Sequence, residues 1–387
     1  MNKKIRIAFC VGSIKNKGGM EKVLANKANF FVEHLGYDVH IITQNQQNQK
    51  LPYHFDKRIK FHDINLNNLS KKNIKWITFI RNIFRLRVIY EGLFNKIKPE
   101  IIIVSERGYL DFVVPTIYKN TPKIREFHFS KSAVKVHASL MTIKNKLKHL
   151  LMYKFIFYFF NKYDYLVLLT DEDKLNGNYK TNTIVIPNMI DNVNHSLRSR
   201  LISKNAISVG SMHDKRKNFE EQIYIWKEIV KKNPNWKLFI YGDGKEKKNI
   251  EQLIIKHSLE DKVILKGNVD NINDAYLNSS FFIFTSRAEG LPMVLIEAQS
   301  FGLPIVSYDC PTGPNDIIEN NETGFVIHNK NRDEFIKKII TLIENESLRF
   351  KMGEMAKLNS LNYGQEIIGK KWNIFLNKVL NEKQNNK

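Results

Sequence analysis

The sequence predicts an α/β protein of two doubly wound, Rossmann-like domains. Three observations carry this. Short continuous apolar runs alternate with segments of helical apolar spacing along the chain, the pattern of buried parallel strands joined by crossover helices. The pattern occurs twice, on either side of a polar, aperiodic stretch from Ile186 to Asn205. The 387 residues, 43% of them hydrophobic, exceed one ordinary core and suit two.

In the first half, "IRIAFCV" reads as a buried strand and is followed by a Gly/Lys/Asn loop. Met20 to Leu35 carries Val23, Leu24, Ala28, Phe31 and Leu35 at helical spacing, and Gly36 ends that helix. "DVHIIT" is the next strand; "EIIIVSE" (Glu100–Glu106) and "YLVLLT" (Tyr165–Thr170) read as further ones. In the second half the strands are "AISVG", "WKLFIYGDG", "KVILKG", "SFFIFTS" and "PIVSYD", with helices over "KNFEEQIYIWKEIVKKNP" and "KEKKNIEQLIIKHS" between them. The boundaries follow: residues 1–190 form a first domain, 191–365 a second, which the site and the resemblance below imply to be the acceptor and nucleotide-sugar domains, and 366–387 an amphipathic helix with a polar tail, expected to pack back on the first domain.

Composition narrows the function classes. The two cysteines, Cys10 and Cys310, form no disulfide framework and fit a reducing compartment. The most apolar stretch, Leu150 to Thr170, is interrupted by Lys154, Lys162 and Asp164, which argues against a spanning helix. The net charge of +22 is uneven: residues 1–200 hold 34 Lys and Arg against 15 Asp and Glu, while residues 201–387 hold 27 against 24. A basic first half points to an anionic partner there, whether nucleic acid, membrane surface or acidic glycan.

The informative stretch is "RAEGLPMVLIEAQSFGLP", Arg287 to Pro304. It follows the strand "SFFIFTS", and open α/β sheets bind ligands beyond the carboxyl ends of their strands. Pro292 fits the first turn of a helix running through Gln299. Glu289, Gly290 and Leu291 then approach a helix N-terminus, where free amides and the positive dipole end suit phosphate. Glu297, about 7 Å further along the axis, is placed to accept two hydrogen bonds from a ribose diol. Glu289 at the helix mouth would hold the hydroxyls of a second sugar. A nucleotide sugar uses all of these features.

These residues resemble a family. "EGLPMVLIEA" is similar to the E-x7-E signature of retaining glycosyltransferases of family 4, which have the GT-B fold of two facing Rossmann-like domains with a cleft between them. "GGMEK" (Gly18–Lys22), "VIPNMID" (Val185–Asp191), "VGSMHDKRKNFE", "YGDG" and "DCPTGPNDIIENNETGFVI" match further family motifs in order and spacing. The resemblance implies that Glu297 binds the donor ribose, that Glu289 contacts the transferred sugar near the reacting centre, and that Lys217 pairs with the diphosphate. It implies that Gly19 brings the first helix N-terminus towards phosphate or sugar, and that His128 in "REFHFS" contacts the sugar or acceptor. The family's arginine after the strand glycine is Ser211 here, and Arg216 is the candidate to supply the missing charge. The implied donor is a UDP-linked hexose or N-acetylhexosamine and the acceptor a lipid-linked, lipopolysaccharide or capsule glycan. No cofactor, metal or nucleic acid is expected, and the place of action is the cytoplasm, on the inner face of the cell membrane.

Simpler roles compete with these. Singly, Glu289 fits a loop or dipole partner, Glu297 a solvated helix face, Lys217 a solvated lysine, Gly18 and Gly19 a turn, and His128 a structural histidine. The D-x-D in "TDEDK" reads as the charged start of a helix, and the eleven histidines show no metal-ligand spacing. "KKNIKWITFIRNIFRLRVIYEGLF" (Lys71–Phe94) and "TIKNKLKHLLMYKFIFYFFNK" (Thr142–Lys162) mix cations with aromatic residues. Such helices suit a membrane interface or, with their apolar faces inward, the core of the first domain. The second is expected to be core. The functional alternatives are a basic nucleic-acid-binding protein, which has no use for Glu289 and Glu297, and an inactive nucleotide-sugar-binding scaffold, motivated by Ser211.

Overall fold

The computed structural model describes residues 4–16, 18–66, 76–105, 108–139, 141–191 and 196–385. The chain divides into two compact units, each around one parallel sheet. The first comprises Met1–His128, Ile143–Asp191 and Gln365–Lys387, and the second Phe129–Thr142 and Asn192–Gly364.

In the first unit the chain forms β1 (Arg6–Val11), α1 (Gly19–Glu33), β2 (Asp38–Thr43), β3 (Lys60–Asp63), α2 (Trp76–Ile97), β4 (Ile101–Val104), α3 (Leu110–Val113) and β5 (Lys123–Phe127). After α4 (Lys131–Ser139), which groups with the second unit, come α5 (Ile143–Phe160), β6 (Tyr165–Leu168), α6 (Asp171–Gly177) and β7 (Asn182–Val185). The strand order is β3-β2-β1-β4-β5-β6-β7, with every pairing parallel. β2 and β4 are buried along their whole length, as strands covered on both faces must be.

The second unit runs through β8 (Asn205–Val209), α7 (Phe219–Lys232), β9 (Lys237–Tyr241), α8 (Lys247–Lys256), β10 (Val263–Gly267), α9 (Asn273–Leu277) and β11 (Phe281–Phe284). It continues with α10 (Met293–Ser300), β12 (Ile305–Asp309), α11 (Pro314–Ile317), β13 (Gly324–His328), α12 (Arg332–Glu344) and α13 (Glu346–Ser360). Its parallel strand order is β10-β9-β8-β11-β12-β13. Ile223, Trp226 and Ile229 of α7 form one side of its core against β8, β9 and β11.

The closing helix α14 (Gln365–Asn385) belongs to the first unit. Its Ile368, Trp372, Phe375, Leu376 and Val379 join the core that β1, β2 and α1 build. Gly369 lets it approach α1, because a Cβ there would stand 2.1 Å from the ring of Phe30.

The division differs from a continuous first domain over 1–190 and a second over 191–365. Residues 129–142 group with the second unit. The physical reason lies at the start of that segment. The Ser130 hydroxyl is 3.4 Å from the Glu289 carbonyl oxygen and 3.0 Å from the Thr312 hydroxyl. The Phe129 ring lies under the Arg216 guanidinium at 5.8 Å. Within the polar boundary stretch, residues 192–195 lie outside the described residues, as do residues 71–75 of the first basic segment, Glu106 and the last two residues of the tail.

β5 is a strand that apolar patterning does not reveal. Lys123, Arg125 and Glu126 are all buried in it. The Arg125 guanidinium donates to Asp111 at 2.6 Å and to the Val104 carbonyl at 3.1 Å. Replacing Asp111 by alanine leaves that buried cation without its counter-charge. The Asp111→Ala protein is expected to lose about 3–5 kcal/mol, seen as a lower midpoint of thermal or urea unfolding.

Candidate functional site

The second sheet reverses its winding between β8 and β11, the point where open parallel sheets bind ligands. Two loops leave the carboxyl ends of these strands and are stitched together. The loop after β8 forms a 3-10 turn over Lys215–Lys217, in which the Asp214 carboxylate accepts from the Arg216 amide at 2.9 Å. Asn218 then takes a left-handed conformation, φ 55°, and opens α7. From the loop after β11, the Thr285 hydroxyl lies 3.2 Å and 3.1 Å from the carbonyls of Lys217 and Asn218. The Arg287 amide donates to the Arg216 carbonyl at 2.8 Å, and its guanidinium donates to the Asn218 side chain at 2.8 Å.

This stitching delivers two cations to one carboxylate. The Lys217 ammonium donates to Glu289 Oε1 at 2.8 Å, and Arg216 Nη1 donates to Oε2 at 3.3 Å. The Glu289 side chain is only 7% exposed. Burial pushes its carboxyl up, but the charges of Lys217 and Arg216 outweigh that and hold it below its ordinary value. The stem of Lys217 lies against Gly210, where a Cβ would stand 3.2 Å from it. Gly242, at φ +132°, backs this loop, and a Cβ there would be 1.9 Å from the Gly210 carbonyl oxygen. Ser211 is exposed, and its hydroxyl accepts from the His213 amide at 3.3 Å.

Gly290 and Leu291 are buried and lead into α10. Pro292 is its N-cap, at φ −75° and ψ 92°, one position earlier than the sequence reading placed it. The reason is an extended ψ, held where Pro292 packs on Gly313 so closely that a Cβ on that glycine would be 2.2 Å from the proline ring. The first amides of α10, at Met293 and Val294, have no carbonyl within the helix to bond. Glu297 stands one turn further in, half-buried, and Tyr276 donates to its Oε2 at 3.4 Å. Burial first, then the neighbouring Glu297 charge, keeps the Tyr276 hydroxyl protonated and so a donor. Arg216, Lys217, Glu289, Gly290, Leu291 and Glu297 thus all lie in the second unit, around the β8 and β11 ends and α10.

Gly19 and His128 lie in the first unit. Gly19 starts α1, and a Cβ there would meet nothing within 4 Å, so packing does not demand glycine at that position. His128 follows β5, with Nε2 3.7 Å from Glu126 Oε2. Burial lowers its affinity for a proton more than Glu126 raises it, so the imidazole is neutral at pH 7. Glu126 also accepts from the Ser105 hydroxyl and from the Lys27 ammonium. Burial pushes the Glu126 carboxyl up, while the Lys27 charge, the largest opposing cause, helps hold it well below its ordinary value. Sequence reasoning missed Lys27 and Glu126. Lys27 sits between Leu24 and Phe31 on the apolar face of α1, and a charge in that register was the signal.

Among the described residues, no group of three or more His, Cys, Asp or Glu is arranged to hold a metal ion. The family model for glycosyl transferases group 1 matches residues 194–359. An uncharacterized glycosyltransferase of Haemophilus influenzae is 28% identical over 384 residues, covering 95% of this chain and 98% of its own length. The amylovoran biosynthesis glycosyltransferase AmsD of Erwinia amylovora is 27% identical over 384 residues, covering 96% and 99%. The crystal structure of the pneumococcal O-GlcNAc transferase GtfA, in complex with UDP and GlcNAc, is similar with a TM-score of 0.74 at 15% identity, covering 98% of this chain and 100% of that one. The fold is GT-B. The family match and the relatives support a glycosyltransferase of the GT-B superfamily.

In this GT-B chain the buried carboxylates Glu126 and Glu289 contribute to the acid limit of stability, as does Asp38, whose carboxyl burial pushes up and Lys60 and Arg6 hold down. Glu126 and Glu289 have folded affinities for protons below the ordinary value of 4.5. Their contribution is therefore present above that value and lost as pH falls through the lowered one. Thermal midpoints measured from pH 7 down to pH 3 are expected to drop steeply below about pH 4.5. Glu126→Gln, less stable at pH 7, is expected to show a shallower drop.

Proposed function

We propose that this protein is a retaining, metal-independent glycosyltransferase of family 4. It moves a hexose or N-acetylhexosamine from a UDP sugar to a lipid-linked or other cell-surface glycan acceptor, and works in the cytoplasm on the inner face of the cell membrane. The observation that carries the reading is the pair of cations on Glu289 at the β8–β11 switch point, beside the N-terminus of α10. An acceptor hydroxyl replaces the diphosphate oxygen at the anomeric carbon, and the departing UDP gains negative charge. Lys217, Arg216 and the first amides of α10 are suited to stabilise that charge. Glu297 suits the ribose diol, and Glu289 the hydroxyls of the transferred sugar. Gly19 and His128 are assigned to contacts with the transferred sugar and the acceptor. The UDP and GlcNAc bound by the pneumococcal O-GlcNAc transferase GtfA support the donor class.

In the donor-free protein, Glu289 and an incoming diphosphate compete for Lys217 and Arg216. Glu289→Gln removes the competitor. UDP affinity by calorimetry is expected to rise about fivefold, the equivalent of one ion pair worth about 1 kcal/mol. Transfer from the UDP sugar is expected to fall by about a hundredfold or more. Weaker UDP binding in this variant would overturn the competition. Glu297→Ala is expected to weaken UDP binding at least about tenfold, and unchanged affinity removes it from the site. Because protein cations carry the leaving-group charge, initial rates with and without a chelator are expected to agree. The product's anomeric configuration, read by NMR, is expected to match the donor's.

A further inference from the structure

The two basic segments of the first unit are not closed into its core. On α5, Ile143, Leu147, Leu151 and Phe155 recur every four residues, and the first three are 88%, 61% and 58% exposed. Residues four apart are neighbours on a helix surface, so these side chains form one ridge. The expectation that this helix would bury its apolar residues holds only for its other side. There Tyr153, Ile156 and Phe160 are buried and Phe159 reaches Phe112 of α3 at 5.1 Å, while Phe155, the last residue of the ridge, also touches Phe112, at 5.3 Å, with part of its ring exposed. α2 repeats the arrangement. Its Phe79 meets Phe112 at 5.5 Å, while Ile80, Phe84 and Val88, again four apart, are exposed. Both helices therefore rest on α3 and turn an apolar ridge outward.

The charge beside these ridges is mostly positive, the exception being Glu91 of α2, 3.5 Å from Arg87. Lys144, Lys146, Lys148 and Lys154 of α5 are all exposed, and the chain contains no Asp or Glu from Phe127 to Tyr163. Arg81, Arg85 and Arg87 are exposed on α2. A second copy of this chain would set lysines against lysines. An anionic lipid surface fits instead, because apolar side chains enter the acyl boundary while lysine and arginine stems carry their charges to the phosphates. Among the described residues no helix is long and apolar enough to cross a membrane, so contact would be with the surface alone.

We propose that the ridges of α5 and α2 dock the first unit on an anionic lipid surface. This rests on the membrane-face reading given above and names the side chains that make the contact. It is tested with the full chain by co-sedimentation with phosphatidylcholine vesicles, with or without phosphatidylglycerol, and with UDP binding measured on the same samples. The expected result is binding to phosphatidylglycerol vesicles that weakens with salt. Lys144→Gln/Lys148→Gln should bind about 25-fold more weakly, about fivefold per lysine. Leu147→Ser/Leu151→Ser should lose binding while keeping the wild-type thermal midpoint, and Ile374→Ser, an exposed site on α14, should bind as the wild type does. Wild-type protein that ignores phosphatidylglycerol vesicles at low salt overturns both the surface and the membrane-face reading. Vesicle binding that survives both double variants overturns the surface alone. A dimer that Leu147→Ser/Leu151→Ser dissociates assigns the ridge to a second copy and also overturns it. Loss of UDP binding by the wild type would sink the transfer reading and leave the docking surface standing.

Discussion

A buried carboxylate is costly, and at Glu289 the cost is offset only because Lys217 and Arg216 reach it from another strand's loop. That requirement fixes much of the second unit. The loops after β8 and β11 must be locked in register, which Thr285, Arg287 and Asn218 accomplish. The backbone behind them must approach closely, which needs glycine at 242, where a Cβ would stand 1.9 Å from the Gly210 carbonyl oxygen. Two cations, Lys217 and Arg216, meet the one buried carboxylate of Glu289, and the second carboxylate nearby, Asp214, is half-exposed and 3.8 Å from Arg216 Nε. The clasp lies beside a helix start whose amides have no internal acceptors. On the proposed function, the cations released from Glu289 would pair with the donor's diphosphate.

The first unit solves a related problem with different parts. Glu126 is buried at the end of β5 and is satisfied by Lys27 and Ser105, with His128 beside it. Lys27 is itself buried, and its ammonium lies 4.8 Å from the Trp372 ring centre and 5.4 Å from that of Phe9. Trp372 comes from α14, so the last helix of the chain covers a charge placed by the first. This explains on electrostatic grounds why the C-terminal segment belongs with the N-terminal unit. The apolar ridge of α14 brings it there, and the cation–π contact adds to the attraction.

What could be read from the sequence follows from how each element is buried. β1, β4 and β11 are covered on both faces and appear as almost unbroken apolar runs, while β2 and β12 are buried nearly throughout and keep a largely apolar pattern around a few polar residues. β3 and β7 are edge strands with little burial, so they leave no such run. β5 hides its character behind three charged residues, Lys123 bonded to nearby carbonyls and Arg125 and Glu126 paired with Asp111 and Lys27 from other elements. The attachment of residues 129–142 to the second unit was equally unreadable. It depends on a serine hydroxyl meeting a carbonyl 159 positions away. In α5 apolar residues fall on every side of the helix, so periodicity could not say which of them would face the sheet.

The departure at Ser211 shows where matching motif residues one by one misleads. The resemblance expects an arginine directly after the strand glycine, and there the chain has an exposed serine. The electrostatic requirement belongs to the space around Glu289, not to a position in the sequence. Arg216 meets it from the 3-10 turn five residues later. Its reach depends on a rigid turn, and the turn is rigid because Asp214 accepts from its amide while the Arg287 amide fixes its carbonyl. Removing the serine would not weaken this clasp, whereas loosening Asp214 would, although Asp214 makes no contact with Glu289 and matches no signature residue. Counting charges around the buried carboxylate therefore gives a firmer account of this site than comparing its letters with a motif.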